Sequence, residues 1–268
     1  MLTRRFILVV SLILAVFSSG CGDNVAKDYY KKAIKLSKSK KPEDWEKAIK
    51  KFEEVINLKI EAYQYTQFLH KKMGDHLKKK GFWNQAAEHY KESLALQSND
   101  YLVHYNLGIC YANLGRVEEV YLDQAIEEYY KSLKLFPEFE LPYYGLGIIY
   151  FFKKGCLDEG IKCLKKAISL EPRFINAYVT LGKCYYEIKR FNEAALSYQE
   201  AIKRSPPKIK IVASYYSNLG IVYQAMRENK KAVDCFKKAL EIDPNQREAL
   251  ENLSALGVRV YDRLKRFR

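Results

Sequence analysis

The chain has 268 residues, 48% of them apolar and 29% charged, a composition that excludes a disordered or collagen-like chain. Lys and Arg number 46 against 32 Asp and Glu, so the net charge is +14, which favours anionic partners without choosing among lipid headgroups, nucleic acid and acidic proteins. Six Cys and four His exclude a disulfide framework and leave little for a metal site, whereas 22 Tyr and 13 Phe supply large flat side chains that must pack.

The first element is an address. Met1–Arg5 is a short basic start, and Phe6–Phe17 is an apolar run. A helix that crosses a bilayer needs roughly 20 apolar residues, so this shorter run reads as the core of a secretory signal. Ser18-Ser19-Gly20-Cys21 follows and resembles the lipobox of bacterial lipoproteins, with Ser18 where the usual motif has Leu. The resemblance implies removal of residues 1–20 and attachment of diacylglycerol to the Cys21 thiol, with residues 21–25 as a lipidated tether. Several acyl chains, each worth ~0.8 kcal/mol per buried CH₂, hold a protein stably on a membrane. Gly22, where Asp would argue for inner-membrane retention, points to an outer-membrane lipoprotein facing the periplasm of a bacterial cell envelope.

From residue 26 onward the chain repeats itself. Leu-Gly recurs at Leu107-Gly108, Leu146-Gly147, Leu181-Gly182 and Leu219-Gly220, with Met73-Gly74 as a variant. A large residue stands three places after each Gly, at Leu77, Tyr111, Tyr150, Tyr185 and Tyr223. A second signature follows: a small residue, an aromatic or Leu four later, and Ala or Ser three after that. It is carried by Ala86/Tyr90/Ser93, Ala125/Tyr129/Ser132, Gly160/Leu164/Ala167, Ala194/Tyr198/Ala201 and Ala232/Phe236/Ala239. Pro137, Pro172, Pro206 and Pro244 close four of the units. Gly and Ala let two helices approach, aromatics at helical spacing fill the gaps, and Pro ends the second helix.

This pattern, with a period near 34, resembles the tetratricopeptide repeat. The resemblance implies an all-α solenoid of antiparallel helix pairs in a right-handed superhelix. Five repeats fall at 67–100, 101–139, 140–174, 175–212 and 213–246, preceded by a degenerate one that completes a solenoid over 26–246. Ala48, Phe52, Val55 and Leu58 carry the second helix of the degenerate unit, and residues 247–268 read as an amphipathic capping helix with a basic tail. Extra residues at 116–122 and 206–211 fall at turns, where such arrays tolerate them.

No enzyme motif is present: Gly145-Leu-Gly147 lacks a third Gly and lies within a helix, and C-x-x-C, H-E-x-x-H, Walker A and G-x-S-x-G are all missing. No catalytic residue, metal site or cofactor is expected. His70 and His104 take the place of Tyr143, Tyr178 and Tyr216 and read as packing residues, with His76 and His89 exposed. The five cysteines after Cys21 read as packing residues: Cys110 and Cys184 align with the core positions of Ile149 and Val222, Cys163 and Cys235 share one slot of the second helix, and Cys156, in a turn, is the candidate only if any thiol is reactive.

In tetratricopeptide proteins the first helix of each pair lines a binding groove. Carried over by position, the groove here is built from Tyr105, Asn106, Ile109, Tyr144, Ile148, Phe151, Phe152, Tyr186 and Asn218, apolar and aromatic in its middle. Lys71, Lys78 and Lys79 make its N-terminal end basic, and Asn106 and Asn218 stand where family members hold a peptide backbone. A clamp for acidic chain ends is excluded, because Asp75, Leu141 and Gly145 replace three of its five residues. The resemblance points to a membrane-anchored scaffold that binds an envelope protein in an assembly or transport complex. The alternative is a periplasmic carrier of an apolar ligand or lipid that partners a transporter. Nucleic acid is excluded, since an exported chain without a base-reading motif leaves the lysines of 27–59 and the tail RLKRFR to headgroups or solvent.

Overall fold

The computed structural model describes residues 31–258 apart from 33–34, 37, 40, 56–59, 154–155 and 207–208. The signal segment, Cys21, the tether, Leu58, the side chains of Phe52 and Val55, and the tail from residue 259 lie outside the described residues. The chain divides into two compact units, residues 1–137 and 138–268.

Among the described residues of the first unit the elements are α1 (Pro42–Val55), α2 (Ile60–Lys79), α3 (Trp83–Leu96), α4 (Tyr101–Leu114) and α5 (Val120–Leu135). The second unit has α6 (Glu140–Phe152), α7 (Leu157–Leu170), α8 (Ile175–Glu187), α9 (Phe191–Arg204), α10 (Ile211–Ala225), α11 (Asn229–Ile242) and α12 (Arg247–Ala255). Helices α2/α3, α4/α5, α6/α7, α8/α9 and α10/α11 pack as hairpins, and within each unit successive hairpins stack on one another. The expected all-helical repeat architecture is what these elements form.

The two sequence signatures are two sides of one contact. A Cβ on Gly74 would meet the ring of Tyr90, on Gly108 that of Tyr129, on Gly182 that of Tyr198, on Gly220 that of Phe236, and on Gly147 the side chain of Leu164. Each pair joins the first helix of a hairpin to the second, and the absence of a Cβ on the glycine is what lets the large side chain pack there. Tyr90 and Phe236 are fully buried, a gain of roughly 1.5–3 kcal/mol for each large side chain. Ser93 and Ser132, small residues of the second signature, donate their hydroxyls to the Gln67 and Tyr101 carbonyls at 3.2 and 2.8 Å.

Turns end the helices by a common device. In the α2–α3 turn Gly81 has φ +80, and the Phe82 N–H donates to the Leu77 carbonyl at 3.0 Å. That is the left-handed C-cap, for which glycine avoids the Cβ penalty. Lys189 and Arg227 adopt the same positive φ in the α8–α9 and α10–α11 turns, where Arg190 and Glu228 donate to Tyr185 and Tyr223. Asp100 caps α4, accepting from the Leu102 and Val103 amides.

Two boundaries differ from the sequence reading. Helix α2 begins at Ile60, not 67, because residues 60–66 contain no turn residue to stop it. The capping helix α12 ends at Ala255, since Gly257 turns left-handed at φ +74 and Val258 donates back to Leu253. Its Ala249 and Leu253 close the core over Ala232, Phe236 and Ala239. Among the described residues no helix is long and apolar enough to cross a membrane.

Candidate functional site

Of the groove residues read from sequence, α4 carries Tyr105, Asn106 and Ile109 in the first unit. Asn106 is engaged on both sides of its amide. Lys78 Nζ on α2 donates to Asn106 Oδ1 at 2.7 Å, and Asn106 Nδ2 donates to Asp75 Oδ1 at 3.3 Å. The same carboxylate oxygen accepts the Tyr90 hydroxyl at 2.6 Å, and burial, reinforced by that bond, raises the phenol well above its ordinary range. Lys71 is likewise held, 2.7 Å from Asp100. The two clamp-type residues that this chain does possess, Lys71 and Asn106, are therefore bound to the protein itself. Ile109 is half-buried, and Tyr105 lies with its ring 5.9 Å from that of Tyr129.

The second unit is different. Phe151 of α6, Tyr186 of α8 and Asn218 of α10 line one recess of about 180 Å³. Lys183, Glu187 and Ile221 complete its rim, with the buried ring of Tyr198 beneath. The Asn218 side chain takes no hydrogen bond from any described residue. Phe152 lies outside the recess, 69% exposed, its ring edge-on to Phe151 at 5.4 Å. Tyr144 is drawn aside onto Phe174, 4.7 Å between ring centroids, and Ile148 is half-buried without lining the recess. Thus, within the second unit, the structure gathers three of the expected residues into one recess and leaves Tyr144, Ile148 and Phe152 outside it.

A second recess of about 250 Å³ was not legible as a site. It lies at the N-terminal ends of α8 and α10, between Ile175 and Asn176 on one side and Ile211, Val212 and Tyr215 on the other. Pro206 and Ile209 of the α9–α10 connection form its edge. The signal was the insertion at 206–211, whose Ile209 and Ile211 remain 46% and 54% exposed.

The histidines depart from expectation. His104 is buried, but it is an ion-pair residue as well as a packing one. Its Nδ1 lies 2.6 Å from Glu128 Oε2 on α5, and its Nε2 lies 2.9 Å from the Ser98 carbonyl. With an acceptor at each ring nitrogen, this geometry favours the doubly protonated imidazolium, which can donate to both, over the neutral ring, which can donate to only one. The Glu128 and Ser98 bonds outweigh the opposing cost of burial and raise the His104 pKa, and hydrogen bonds from His104 and Lys131 likewise lower that of Glu128. His89 is not fully exposed either: its Nδ1 is 3.0 Å from His70 Nδ1, and His76 stands edge-on to Trp45. Sequence missed these pairings because the partners come from different helices.

Burial pushes the Cys110 thiol up to about 12 and those of Cys163, Cys184 and Cys235 up to about 11, which suits core positions and opposes thiolate chemistry. Cys156 sits half-buried just before α7. Among the described residues no group of three His, Cys, Asp or Glu is placed to hold a metal ion.

Family models described as "Tetratricopeptide repeat" match residues 142–174, 175–208 and 213–246, and one described as "TPR repeat" matches 74–115, together just over half of the chain. Hsp70-Hsp90 organizing protein 2 of Arabidopsis thaliana is 28% identical over 103 residues, 38% of this chain and 17% of that protein. The BBSome complex member BBS4 of Bos taurus is 25% identical over 235 residues, 74% of this chain and 44% of that protein. The chain thus spans less than half the length of either relative. Among solved structures, a crystal structure of MamA matches with a TM-score of 0.58 at 27% identity, covering 67% of this chain and 93% of that one. YrrB, titled a TPR protein with an unusual peptide-binding site, shares the fold at a TM-score of 0.55 and 24% identity, over 69% of this chain and 91% of its own.

Proposed function

The chain belongs to the tetratricopeptide repeat family, whose members bind other proteins, and from that premise we propose that it is a lipid-anchored scaffold for a partner protein of the bacterial envelope. One observation carries the binding half of the reading: an open recess in the second unit where Phe151, Tyr186 and the uncommitted amide of Asn218 converge. Aromatic anchors in a small desolvated recess dominate most protein interfaces, and an unpaired amide beside them suits a peptide backbone. The polar face of the first unit supports this division, since Lys78, Asp75 and Asn106 satisfy one another. About 180 and 250 Å³ fall below the ~300–1,000 Å³ of small-molecule pockets, so each of these two recesses suits a single side chain.

The anchor rests on Phe6–Phe17 and on Ser18–Cys21 ahead of Gly22, which also support an outer-membrane, periplasm-facing placement. One in-cell experiment addresses both halves. With a photoreactive residue at position 186, crosslinking should yield a partner adduct that is absent when the same residue replaces Leu196, exposed on α9. Cys21→Ala should abolish labelling by a palmitate analogue and leave unprocessed precursor. Normal labelling of that variant would remove the anchor from the account, and an adduct from 196 but not 186 would remove the recess.

A further inference from the structure

The two recesses of the second unit share their walls. Helix α8 gives Ile175 and Asn176 to one and Lys183, Tyr186 and Glu187 to the other. Helix α10 gives Ile211, Val212 and Tyr215 to one and Asn218, Ile221 and Val222 to the other. On α8 the residues 176, 183 and 187, and on α10 the residues 211, 215, 218 and 222, recur at three-, four- and seven-residue spacings. Each set is therefore a single stripe. Both recesses open along the same pair of helices, one near each end.

Resting on the reading above, we infer that the occupant of this face is one extended partner segment that seats two large apolar side chains, one in each recess, with three residues between them. The spacing follows from geometry. The lining residues at the two ends lie on average about ten positions apart on α8 and about eight on α10, roughly 12–15 Å at 1.5 Å per residue. An extended chain covers about 13 Å in four steps of 3.3 Å. A helical segment would need its anchors about nine residues apart, and nine helical steps place side chains on opposite sides of the helix, since nine is a half-integral number of turns at 3.6.

Charge does not set the flank. Exposed Arg173 precedes Phe174 at the recess formed by the helix N-terminal ends, but Glu171 lies beside it and accepts its backbone N–H at 2.8 Å, and Lys210 is paired with Asp243 at 3.4 Å. The other recess likewise carries both Lys183 and Glu187 on its rim. The interval between anchors separates the occupant from a lipid chain, which has neither a backbone for Asn218 nor a fixed spacing of side chains.

The test uses the full chain and dye-labelled Gly-Ser peptides carrying two Phe separated by one to seven residues, with single-Phe peptides as references. Polarisation should show the tightest binding at three intervening residues, about tenfold or more above the single-Phe peptide, because the second anchor binds at high effective concentration. Ile211→Ser and Tyr186→Ser should each return that peptide to single-anchor affinity while circular dichroism is unchanged. Affinity independent of spacing, with single-Phe binding still lost in Tyr186→Ser, would overturn the two-anchor inference and leave the proposed function standing. Binding of no peptide, or binding indifferent to Tyr186, would overturn both.

Discussion

Gly108→Leu is expected to lower the melting temperature by roughly 5 °C or more. A Cβ at this position would lie 2.7 Å from two ring carbons of Tyr129, which is only 3% exposed and cannot swing aside. Leucine recovers about 1 kcal/mol of helix propensity over glycine, but overpacking a filled core costs typically 1–3 kcal/mol and more where a rigid ring must move. The net effect is destabilising, at about 4 °C per kcal/mol for units whose size falls between 100 and 150 residues. Gly182 offers an internal control. Its Cβ would meet Tyr198 at 3.0 Å, so Gly182→Ala should be milder than Gly108→Ala. An unchanged melting curve for Gly108→Leu would mean that the α4–α5 packing is wrong.

Glu128→Gln is the second large effect, expected to cost roughly 3 kcal/mol by leaving the buried His104 imidazolium without its counter-charge. The pH dependence identifies the cause. His104 has its pKa raised above 6.5 in the folded state, so its contribution is complete below that value and is lost as pH rises through the folded pKa. Glu128 has its pKa lowered from 4.5, so its contribution is present above 4.5 and is lost as pH falls through the folded pKa. The stability difference between the native chain and Glu128→Gln should therefore peak between about pH 4.5 and 6.5 and shrink on either side. Denaturant titrations across that range measure it. A difference that stays flat with pH would assign the loss to packing rather than charge.

The fold was readable because its determinants are local and repeated. Gly108 and Tyr129 announce themselves through position in a period, and the structure adds only that they touch. Features that depend on unrepeated partners were not readable. Nothing in the pattern marks Lys78 as the residue that occupies Asn106, or Glu128 as the partner of His104, because 28 and 24 residues separate them in the chain. The groove was half legible for the same reason. Position in the repeat selects the correct helix face, which placed Phe151, Tyr186 and Asn218 together. It does not say which side chains on that face are drawn into neighbouring contacts, as Tyr144 is by Phe174. The recess beside Tyr215 arises from an insertion, and a periodic reading treats an insertion as something to be tolerated.

The most direct measurement is partner affinity at low and at high ionic strength for two variants. Phe151→Ala with Tyr186→Ala removes the apolar anchors of the recess. Lys79→Gln with Lys80→Gln removes exposed charge from the basic end of the first unit. Burial of apolar surface is not screened by salt, whereas exposed charges act over a Debye length of about 10 Å at 0.1 M and chiefly steer encounter. The double-alanine variant should lose tenfold or more in affinity at both ionic strengths, and the lysine variant should weaken binding only when salt is low. Binding that survives the loss of Phe151 and Tyr186 yet fails at high salt without the lysines would contradict the account.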